Sequence, residues 1–453
     1  MDTTAHGSSQ PLEGIRVVDA GTRIGAPFCA GLLGEWGAEV IKVEQPRSGD
    51  FMRHIGPFAI DRATSSDIDM GSDIGVSGTA GVSGTAGVSG TAGVSGTPGV
   101  SRTAGGDDGY SLFWAVEGRG RKSVTCDLHS AAGQDLFRRL ASKADVVCEN
   151  FRPGTMEAWG IGPGALDPRL VFVRISAFGQ DGPYSARPGL DRLGVAYGGL
   201  MHLTGEPGRP PVRPGVTVSD YLTGVFAAEA ALAALYRRDR RGGRHAGKGA
   251  VVDASLYGSV LRILEWTIAG YDRLGVVRDR EGNRLANSAP LDNYPTSDGR
   301  SVCIVAGSDA NFRRLCAAMH RQELAADPRF SNLAQRARNG DLINAIVAGW
   351  TSSLTADEIE LACIAHDVPV ATAYTARDIA TDRHFEARGD LVRVADPVLG
   401  PLLQQAPYPR LDGKRPEAPR GAPLLGADNE EIWGGLLGVS KRQLAELTAK
   451  GVL

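Results

Sequence analysis

Residues 15–44 have the sequence IRVVDAGTRIGAPFCAGLLGEWGAEVIKVE. The first part, Ile15–Ala20, is rich in β-branched residues, and the apolar residues of Phe28–Trp36 recur at helical spacing. A second β-rich run follows at Glu39–Glu44. This order of strand, loop, helix and strand predicts that the chain opens with a unit of the kind found in parallel sheets.

The same alternation continues along the chain. Further strands are predicted at Ser123–Leu128, Asp145–Asn150, Leu170–Ala177 and Ala250–Ser255, and further helices at Ala131–Ala144 and Leu256–Ala269. Alternating strands and helices are typical of layered α/β folds. We therefore predict a Rossmann-like large domain with a mostly parallel sheet.

The pattern changes after about Asn283, where a turn at Asp298-Gly299 precedes a strand. Helices are then predicted at Asn311–Met319, Leu342–Leu354 and Ala356–His366, and a terminal helical pair at Glu430–Leu437 and Lys441–Lys450. We predict a smaller α+β domain for this part. The predicted limits are a tail at 1–10, the large domain at 11–235, a linker at 236–281, the small domain at 282–395 and a return segment at 396–453.

A hexapeptide repeats between Gly75 and Ala104, as three copies of GVSGTA followed by GVSGTP and GVSRTA. A β-helix is one interpretation of such a repeat, but that fold requires many coils with regular aliphatic positions. The Gly, Ser and Thr content instead favours a flexible surface insertion. No chemistry is assigned to it.

Composition excludes several classes of protein. The net charge of -3 gives no general basic field for nucleic acid or anionic membrane. The six cysteines form no CxxC pair and the histidines no HxxxH pair, which argues against zinc and against a disulfide scaffold. No signal peptide is visible, and the longest apolar helix carries Asp220 and Glu229, so we expect a cytoplasmic protein without a membrane span.

Common nucleotide and hydrolase motifs are absent. GTRIGAPFCAG, which follows the first strand, lacks the GxGxxG spacing of dinucleotide-binding folds. We also find no P-loop and no GxSxG motif in the sequence. These absences argue against a conventional nicotinamide or flavin site and against a serine hydrolase of that type.

Asp220 lies where a proline-rich stretch ends and a long apolar helix starts. An anion in a first turn is stabilised by unpaired N–H groups and by the helix dipole, so we expect Asp220 to be ionised. Ser and Asp are also common in first turns because they cap helices, and a structural role is the simpler interpretation of position alone.

Basic residues near predicted strand ends are candidates for binding phosphate groups. Arg119, Arg121 and Lys122 are predicted to precede the third strand, and Arg152 follows the fourth. Ligands of open parallel sheets bind beyond the carboxyl ends of the strands. The alternative for the first three is a solvated loop, and for Asn150–Gly154 a strand exit with Pro153 starting a helix.

Several segments together resemble the family III CoA-transferases, the group of formyl-CoA and carnitine CoA-transferases. The segments are PLEGIRVVDAGTRIGAPFCAGLLGEWGAEVIKVEQPRSGD, RKSVTCDL, DVVCENFRPGTMEAWGIGP, RISAFGQDGPY and GGLMHLTGEPGRPPVRPGVTVSDYLTG, in that order along the chain. The resemblance implies that Asp220 is the nucleophile of a CoA-transferase. It also implies an interlocked homodimer, acyl-CoA and carboxylic acid substrates, no metal and no tightly bound cofactor, with the CoA thioester as a substrate.

The resemblance also implies a set of residues that line the CoA site. They are Ile24, Gly25, Arg121, Lys122, Asp127, Leu128, His129, Asn150, Phe151, Arg152 and Asp191. Gln45 and Ala158 stand where formyl-CoA transferase has basic residues, so the phosphate contacts differ in detail. A racemase of this fold or a non-catalytic CoA-binding protein are the alternatives. The related racemases have His-Asp where this chain has Leu190-Asp191, and leucine cannot transfer a proton.

The segments RPPVRPG and GPYSARPGLD resemble bacterial transferases that move CoA from succinyl-CoA to dicarboxylic acids such as malate. A second carboxylate on the acceptor needs a cation within hydrogen-bonding reach. The candidates near these segments are Arg23, Arg187, Arg192 and Arg213.

Overall fold

A computed structural model describes residues 10–59, 100–101 and 109–453. The strands are β1 (Arg16–Asp19), β2 (Glu39–Glu44), β3 (Phe58–Ala59), β4 (Val100–Ser101), β5 (Tyr110–Ser111), β6 (Arg121–Thr125), β7 (Val146–Glu149), β8 (Val171–Ser176), β9 (Ala250–Ser255), β10 (Leu291–Pro295), β11 (Ser301–Val305), β12 (Val370–Thr372), β13 (Leu391–Asp396) and β14 (Gly400–Gln405).

The helices alternate with these strands in the first half of the chain and dominate the second half. They are α1 (Gly25–Glu35), α2 (Leu112–Glu117), α3 (Ala131–Ala141), α4 (Thr155–Ala158), α5 (Asp191–Tyr197), α6 (Leu200–Leu203), α7 (Val218–Asp239), α8 (Leu256–Arg262), α9 (Thr267–Leu274), α10 (Asp309–Ala318), α11 (Glu323–Ala326), α12 (Leu333–Arg338), α13 (Gly340–Thr351), α14 (Ala356–Ala365), α15 (Ala376–Thr381), α16 (Arg383–Arg388) and α17 (Lys441–Ala449). Two 3-10 turns, Phe51–His54 and Pro163–Ala165, and a π-helical segment, Glu430–Leu436, complete the list.

The chain divides into two compact units. The first comprises residues 1–186, 223–254 and 392–453, and the second comprises residues 187–222 and 255–391. Helix α7 starts in the second unit and continues in the first, with the division after Leu222.

The first unit contains a six-stranded sheet in the order β6-β2-β1-β7-β8-β9. The pairings β2–β6, β1–β2, β1–β7 and β7–β8 are all parallel, which confirms the predicted α/β class and parallel sheet. Strands of parallel sheets are covered on both faces and read as nearly continuous apolar runs. Strand β8 fits this rule, because all six of its residues are buried.

Helix α7 packs closely against α1 in the first unit. A Cβ atom on Gly224 would lie 2.9 Å from Phe28 Cδ1 and 3.1 Å from the carbonyl oxygen of Gly25, so only glycine permits this approach. By length and composition α7 is the one helix among the described residues that could cross a membrane, a test that core helices of soluble proteins also pass. Its buried alanines, Ala227 and Ala231 among them, are those of a core helix.

The C-terminal segment continues the first unit beyond the edge strand β6. The Asp428 amide donates to the Ser123 carbonyl (2.9 Å), and the Ser123 amide donates to Asp428 Oδ2 (2.7 Å). Trp433 is fully buried and its indole Nε1 donates to the Thr125 carbonyl at 3.2 Å. The segment therefore satisfies backbone groups that an open sheet edge would leave unpaired.

The second unit has its own core around an antiparallel sheet, β10-β11-β12. Helices α10, α13 and α14 contribute Phe312, Val347 and Ile359 to this core, all of them buried. Each unit thus has the independent hydrophobic core expected of a domain.

Two elements differ from the sequence-based prediction. The predicted helix at Leu256–Ala269 is two helices, α8 and α9, and Glu265 between them has a φ of 54°, which a continuous helix cannot contain. Val100 and Ser101 of the last repeat copy form β4, a short strand that the sequence did not predict, and it pairs antiparallel with β3. Residues 60–99, which hold the other copies, lie outside the described residues.

Candidate active site

A pocket of about 110 Å³ opens at the carboxyl edge of the parallel sheet in the first unit. Its lining residues follow the ends of four neighbouring strands and include Gly21, Thr22, Asp50, Leu128, His129 and Phe151. Open α/β sheets bind their ligands at this edge.

A larger cavity, of about 240 Å³, lies at the opposite end of the strands, near the start of β8. Its walls include Leu166, Phe172 and Val251, and its one charged lining residue is the acid Asp167. Without a cation in its walls, this cavity is poorly suited to a phosphorylated ligand. We therefore take the pocket at the carboxyl edge as the candidate binding site.

Beneath the pocket lies a buried cluster of four charged side chains. The Lys42 ammonium, with no exposed surface, lies 2.8 Å from Asp50 Oδ2 and 3.5 Å from Asp19 Oδ2, and it donates a hydrogen bond to the Gly21 carbonyl. Arg121 Nε lies 3.6 Å from Asp19 Oδ2. Two acids and two bases make the cluster neutral, as burial of charge requires.

The pKa shifts in the cluster follow from burial and from the neighbouring charges. Burial disfavours the charged form of Lys42, but the charges of Asp19 and Asp50 and the hydrogen bond with Asp50 more than offset it, and the pKa of Lys42 is raised. Lys42 likewise more than offsets burial for Asp50, whose pKa is lowered. For Asp19 burial prevails and the pKa is raised. Lys42 and Asp50, which are also the closest pair in the cluster at 2.8 Å, form its principal ion pair.

Asp50 connects this cluster to the loops that form the pocket. Its Oδ1 accepts hydrogen bonds from the Met52 amide (2.8 Å) and from the Arg23 amide (3.2 Å). Its own amide donates to Glu44 Oε2 at 2.9 Å. One buried carboxylate thus fixes both the loop after β1 and the loop after β2.

The end of β7 is tied to the loop after β1 by a pair of hydrogen bonds. Asn150 Oδ1 accepts from the Thr22 amide (2.8 Å), and Asn150 Nδ2 donates to the Thr22 carbonyl (2.7 Å). Gly21 permits this contact, because a Cβ there would lie 2.7 Å from Ala26 Cβ and 3.1 Å from Asn150 Oδ1. The Phe151 amide donates to Glu149 Oε2 at 2.7 Å, which fixes the next residue.

Aromatic side chains form one wall of the pocket. The Trp159 ring meets the His129 ring edge-on at 4.9 Å between centroids, and the Phe151 ring at 5.1 Å. Asp127 Oδ1 accepts from the His129 amide at 3.1 Å and lies 3.1 Å from the His129 ring Nδ1. This wall can pack against the flat or apolar parts of a ligand.

Most predicted site residues cluster at this edge of the sheet. Leu128, His129 and Phe151 line the pocket, and Asp127 and Asn150 hold these lining residues in place. Arg152 is exposed just beyond Phe151, and its guanidinium forms no ion pair within the described part of the chain. Ile24 and Gly25 are buried at the start of α1, one turn from the lining residues Gly21 and Thr22.

Arg121 and Lys122 are not part of this group. They do not precede the strand as predicted but begin it, at the amino edge of the sheet. Arg121 is 2% exposed beside Asp19, and Lys122 Nζ lies 2.6 Å from Glu39 and 2.5 Å from Glu431. Both therefore have carboxylate partners in the folded chain.

Asp191 and Asp220 belong to the second unit. Asp191 is buried at the start of α5, and its Oδ1 accepts from the Ser219 amide (2.8 Å) and the Asp220 amide (3.3 Å). Asp220 is half-buried in the first turn of α7, as predicted. Two amides of this first turn, those of Ser219 and Asp220, thus donate to the Asp191 carboxylate.

The sequence analysis did not single out four of the residues that line the pocket. Gly21 and Thr22 follow β1, Asp50 follows β2, and Trp159 ends α4. Gly21 and Thr22 could have been found from their position directly after a predicted strand, since the ends of parallel strands meet at one edge of the sheet.

The described residues contain no group of three His, Cys, Asp or Glu side chains placed to hold a metal ion.

A family model, described as CoA-transferase family III, matches residues 12–68 and 93–429. The chain therefore belongs to CoA-transferase family III, and it is an enzyme of that class.

Individual relatives match over almost their whole length. The chain is 38% identical over 447 residues to succinyl-CoA--D-citramalate CoA-transferase of Chloroflexus aurantiacus, covering 98% of each protein. It is 36% identical over 462 residues to the beta subunit of succinyl-CoA--L-malate CoA-transferase of the same organism, covering all of both. Among solved structures, a CAIB/BAIF family protein from Brucella suis superposes with a TM-score of 0.76 at 27% identity, over 94% of this chain and 100% of that one.

Replacing Lys42 by Met should destabilise the first unit by about 3–5 kcal/mol, because it leaves Asp19 and Asp50 buried without their common cation. Urea denaturation followed by tryptophan fluorescence measures this change. The matched control is Lys122→Met, which removes two more exposed ion pairs, with Glu39 and Glu431, and should cost less than about 1 kcal/mol. Equal losses for the two variants would contradict the role given to the buried cluster.

Proposed function

We propose that this enzyme transfers CoA from succinyl-CoA to a four- or five-carbon dicarboxylic acid. The proposal rests on the relatives that match this chain over nearly their full length, because each is named as a transferase that uses succinyl-CoA. Besides the two Chloroflexus proteins, a succinyl-CoA:mesaconate CoA-transferase of Haloarcula hispanica is 29% identical over 93% of this chain and 95% of that protein. The three named acceptors, citramalate, malate and mesaconate, are all dicarboxylates.

In this proposal Asp220 is the nucleophile. Its carboxylate oxygen attacks the succinyl-CoA carbonyl, the C–S bond breaks, and CoA thiolate leaves a succinyl-aspartyl anhydride. The thiolate then attacks the Asp220 carbonyl carbon, so that succinate leaves and an aspartyl-CoA thioester remains. The acceptor carboxylate repeats these two steps in reverse and regenerates Asp220. Covalent catalysis of this kind divides a difficult exchange into easier steps.

The pocket of the first unit is the proposed site for the nucleotide part of CoA. Its aromatic wall of His129, Phe151 and Trp159 can pack against the adenine ring or the pantetheine arm. Arg47 and Arg152 follow β2 and β7, are exposed, and form no ion pair within the described residues, so both can meet phosphates. The proposed reaction needs no tightly bound cofactor. We also propose that the enzyme acts in the cytoplasm.

A homodimer is part of the proposal. In the second unit, α8, α9 and the residues after them expose large apolar side chains, among them Trp266 (49%), Tyr271 (63%), Leu274 (75%) and Val277 (71%). Monomeric proteins rarely expose such a run of apolar surface, and we propose that a second copy of the chain covers it.

For an interlocked dimer, tagged and untagged chains that are mixed after folding should not exchange subunits. Rapid exchange would contradict the interlocked form.

Replacing Asp220 by Asn or Ala should lower kcat by at least about 1,000-fold and leave CoA binding intact, because the side chain is the proposed nucleophile. Steady-state transfer and CoA binding by calorimetry measure the two effects. Glu229→Gln, a change at an exposed position of the same helix, is the matched control and should keep nearly full activity. Near-normal turnover by either Asp220 variant would overturn the assignment.

A panel of acceptors tests the substrate class. With succinyl-CoA as donor, kcat/KM for malate, citramalate or mesaconate should exceed that for formate or butyrobetaine by at least about tenfold, because a second carboxylate gains a charge-assisted contact. Product CoA esters are measured by liquid chromatography with mass spectrometry. Faster turnover of the monocarboxylates would make the dicarboxylate assignment wrong and leave the transferase class standing.

A further inference from the structure

The carboxylate of Asp191 lies against the first turn of α7, within the second unit. Its Oδ1 accepts from the Ser219 amide (2.8 Å), the Ser219 hydroxyl (2.9 Å) and the Asp220 amide (3.3 Å). The Ser219 hydroxyl also lies 2.9 Å from the Asp191 carbonyl oxygen. Asp191 is 8% exposed and Ser219 is fully buried, so the contact is shielded from water.

Gly194 in α5 and Gly198 directly after it allow α5 to pack closely on its neighbours. A Cβ atom on Gly194 would lie 2.7 Å from Ser219 Oγ and 2.7 Å from Leu256 Cβ, and one on Gly198 would lie 2.6 Å from Val260 Cβ. Real Cβ atoms do not come so close to other atoms. Helix α5 therefore packs directly on the start of α7 and on α8, and it holds Asp191 at a fixed position beside Asp220.

The contact changes the electrostatic setting of Asp220. The amides at the start of a helix normally stabilise an anion there. Here two of these amides are directed at Asp191, which brings a second carboxylate to the same turn. Neighbouring like charges disfavour each other's ionised form, and the effect grows as the pair is removed from water.

We propose that Asp191 is a positioning residue that favours acylation of Asp220. It fixes the first turn of α7. Its negative charge also raises the free energy of the ionised Asp220 side chain relative to the aspartyl-CoA thioester, whose carbonyl carries no charge. The inference rests on the proposed function, because it takes Asp220 as the nucleophile. Formation of the thioester from succinyl-CoA removes one charge from Asp220 and releases succinate, so the repulsion is relieved when the covalent intermediate forms.

The test is the equilibrium between free enzyme plus succinyl-CoA and the enzyme–CoA thioester plus succinate. The fraction of each form is measured by mass spectrometry of the intact chain at fixed succinyl-CoA and succinate. Asp191→Asn keeps an oxygen for the Ser219 amide and removes the charge, so the equilibrium constant for thioester formation should fall about tenfold as the charge repulsion is lost. Asp191→Ser provides the same test if the Asn variant does not fold.

The matched control is Ser219→Ala, which removes the hydroxyl contacts with Asp191 but keeps both charges. It should lower the melting temperature and leave the thioester equilibrium within about twofold of the wild type, since the charge pair is retained. A residue with a merely structural role would change stability in both variants and the equilibrium in neither. An unchanged equilibrium in folded Asp191→Asn would overturn the inference. Absence of any thioester in the wild type would instead refute the proposed function.

Discussion

The pocket loops of the first unit depend on one buried ion pair, that of Lys42 with Asp50. A charge without exposed surface is tolerated only when a partner of opposite sign and further hydrogen bonds replace water. Lys42 meets this requirement with Asp19, Asp50 and the Gly21 carbonyl. Because Asp50 also accepts amides from the loops after β1 and β2, the same interaction that neutralises the lysine gives the pocket its shape.

Close packing in both units also depends on glycines. Gly21 lets Asn150 reach the loop after β1, and Gly224 lets α7 lie against α1. Gly194 lets Asp191 reach the start of α7. In each case a residue without a side chain permits an approach that any larger residue would prevent.

Much of the first unit could be predicted from the sequence because its signals are local. The β-branched runs at Glu39–Glu44 and Ala250–Ser255 are strands with those limits. The residues after β6 and β7 were placed correctly at the carboxyl edge, since parallel strands bring their ends together. The first-turn position of Asp220 was likewise visible from the proline-rich stretch that precedes the helix.

The remaining features depend on partners far away in the sequence. Nothing local distinguishes the buried Arg121 from a solvated arginine, because its partner Asp19 comes from another strand. Helical spacing continues through Glu265, where the backbone turns and separates α8 from α9. The hydrogen bond from the Ser219 amide to Asp191 joins residues that lie 28 positions apart in the chain. Tertiary contacts of this kind override local preference.

The central claim, that Asp220 carries CoA as a covalent intermediate, is tested most directly by following oxygen in a single turnover. With the enzyme in excess over unlabelled succinyl-CoA, an acceptor dicarboxylate labelled with ¹⁸O in its carboxylates is added, and the products are analysed by mass spectrometry. The account predicts that the first succinate released carries no label and that one ¹⁸O appears in the peptide containing Asp220. Label in the succinate of the first turnover, with none in that peptide, would show direct reaction between the two substrates and would contradict the account.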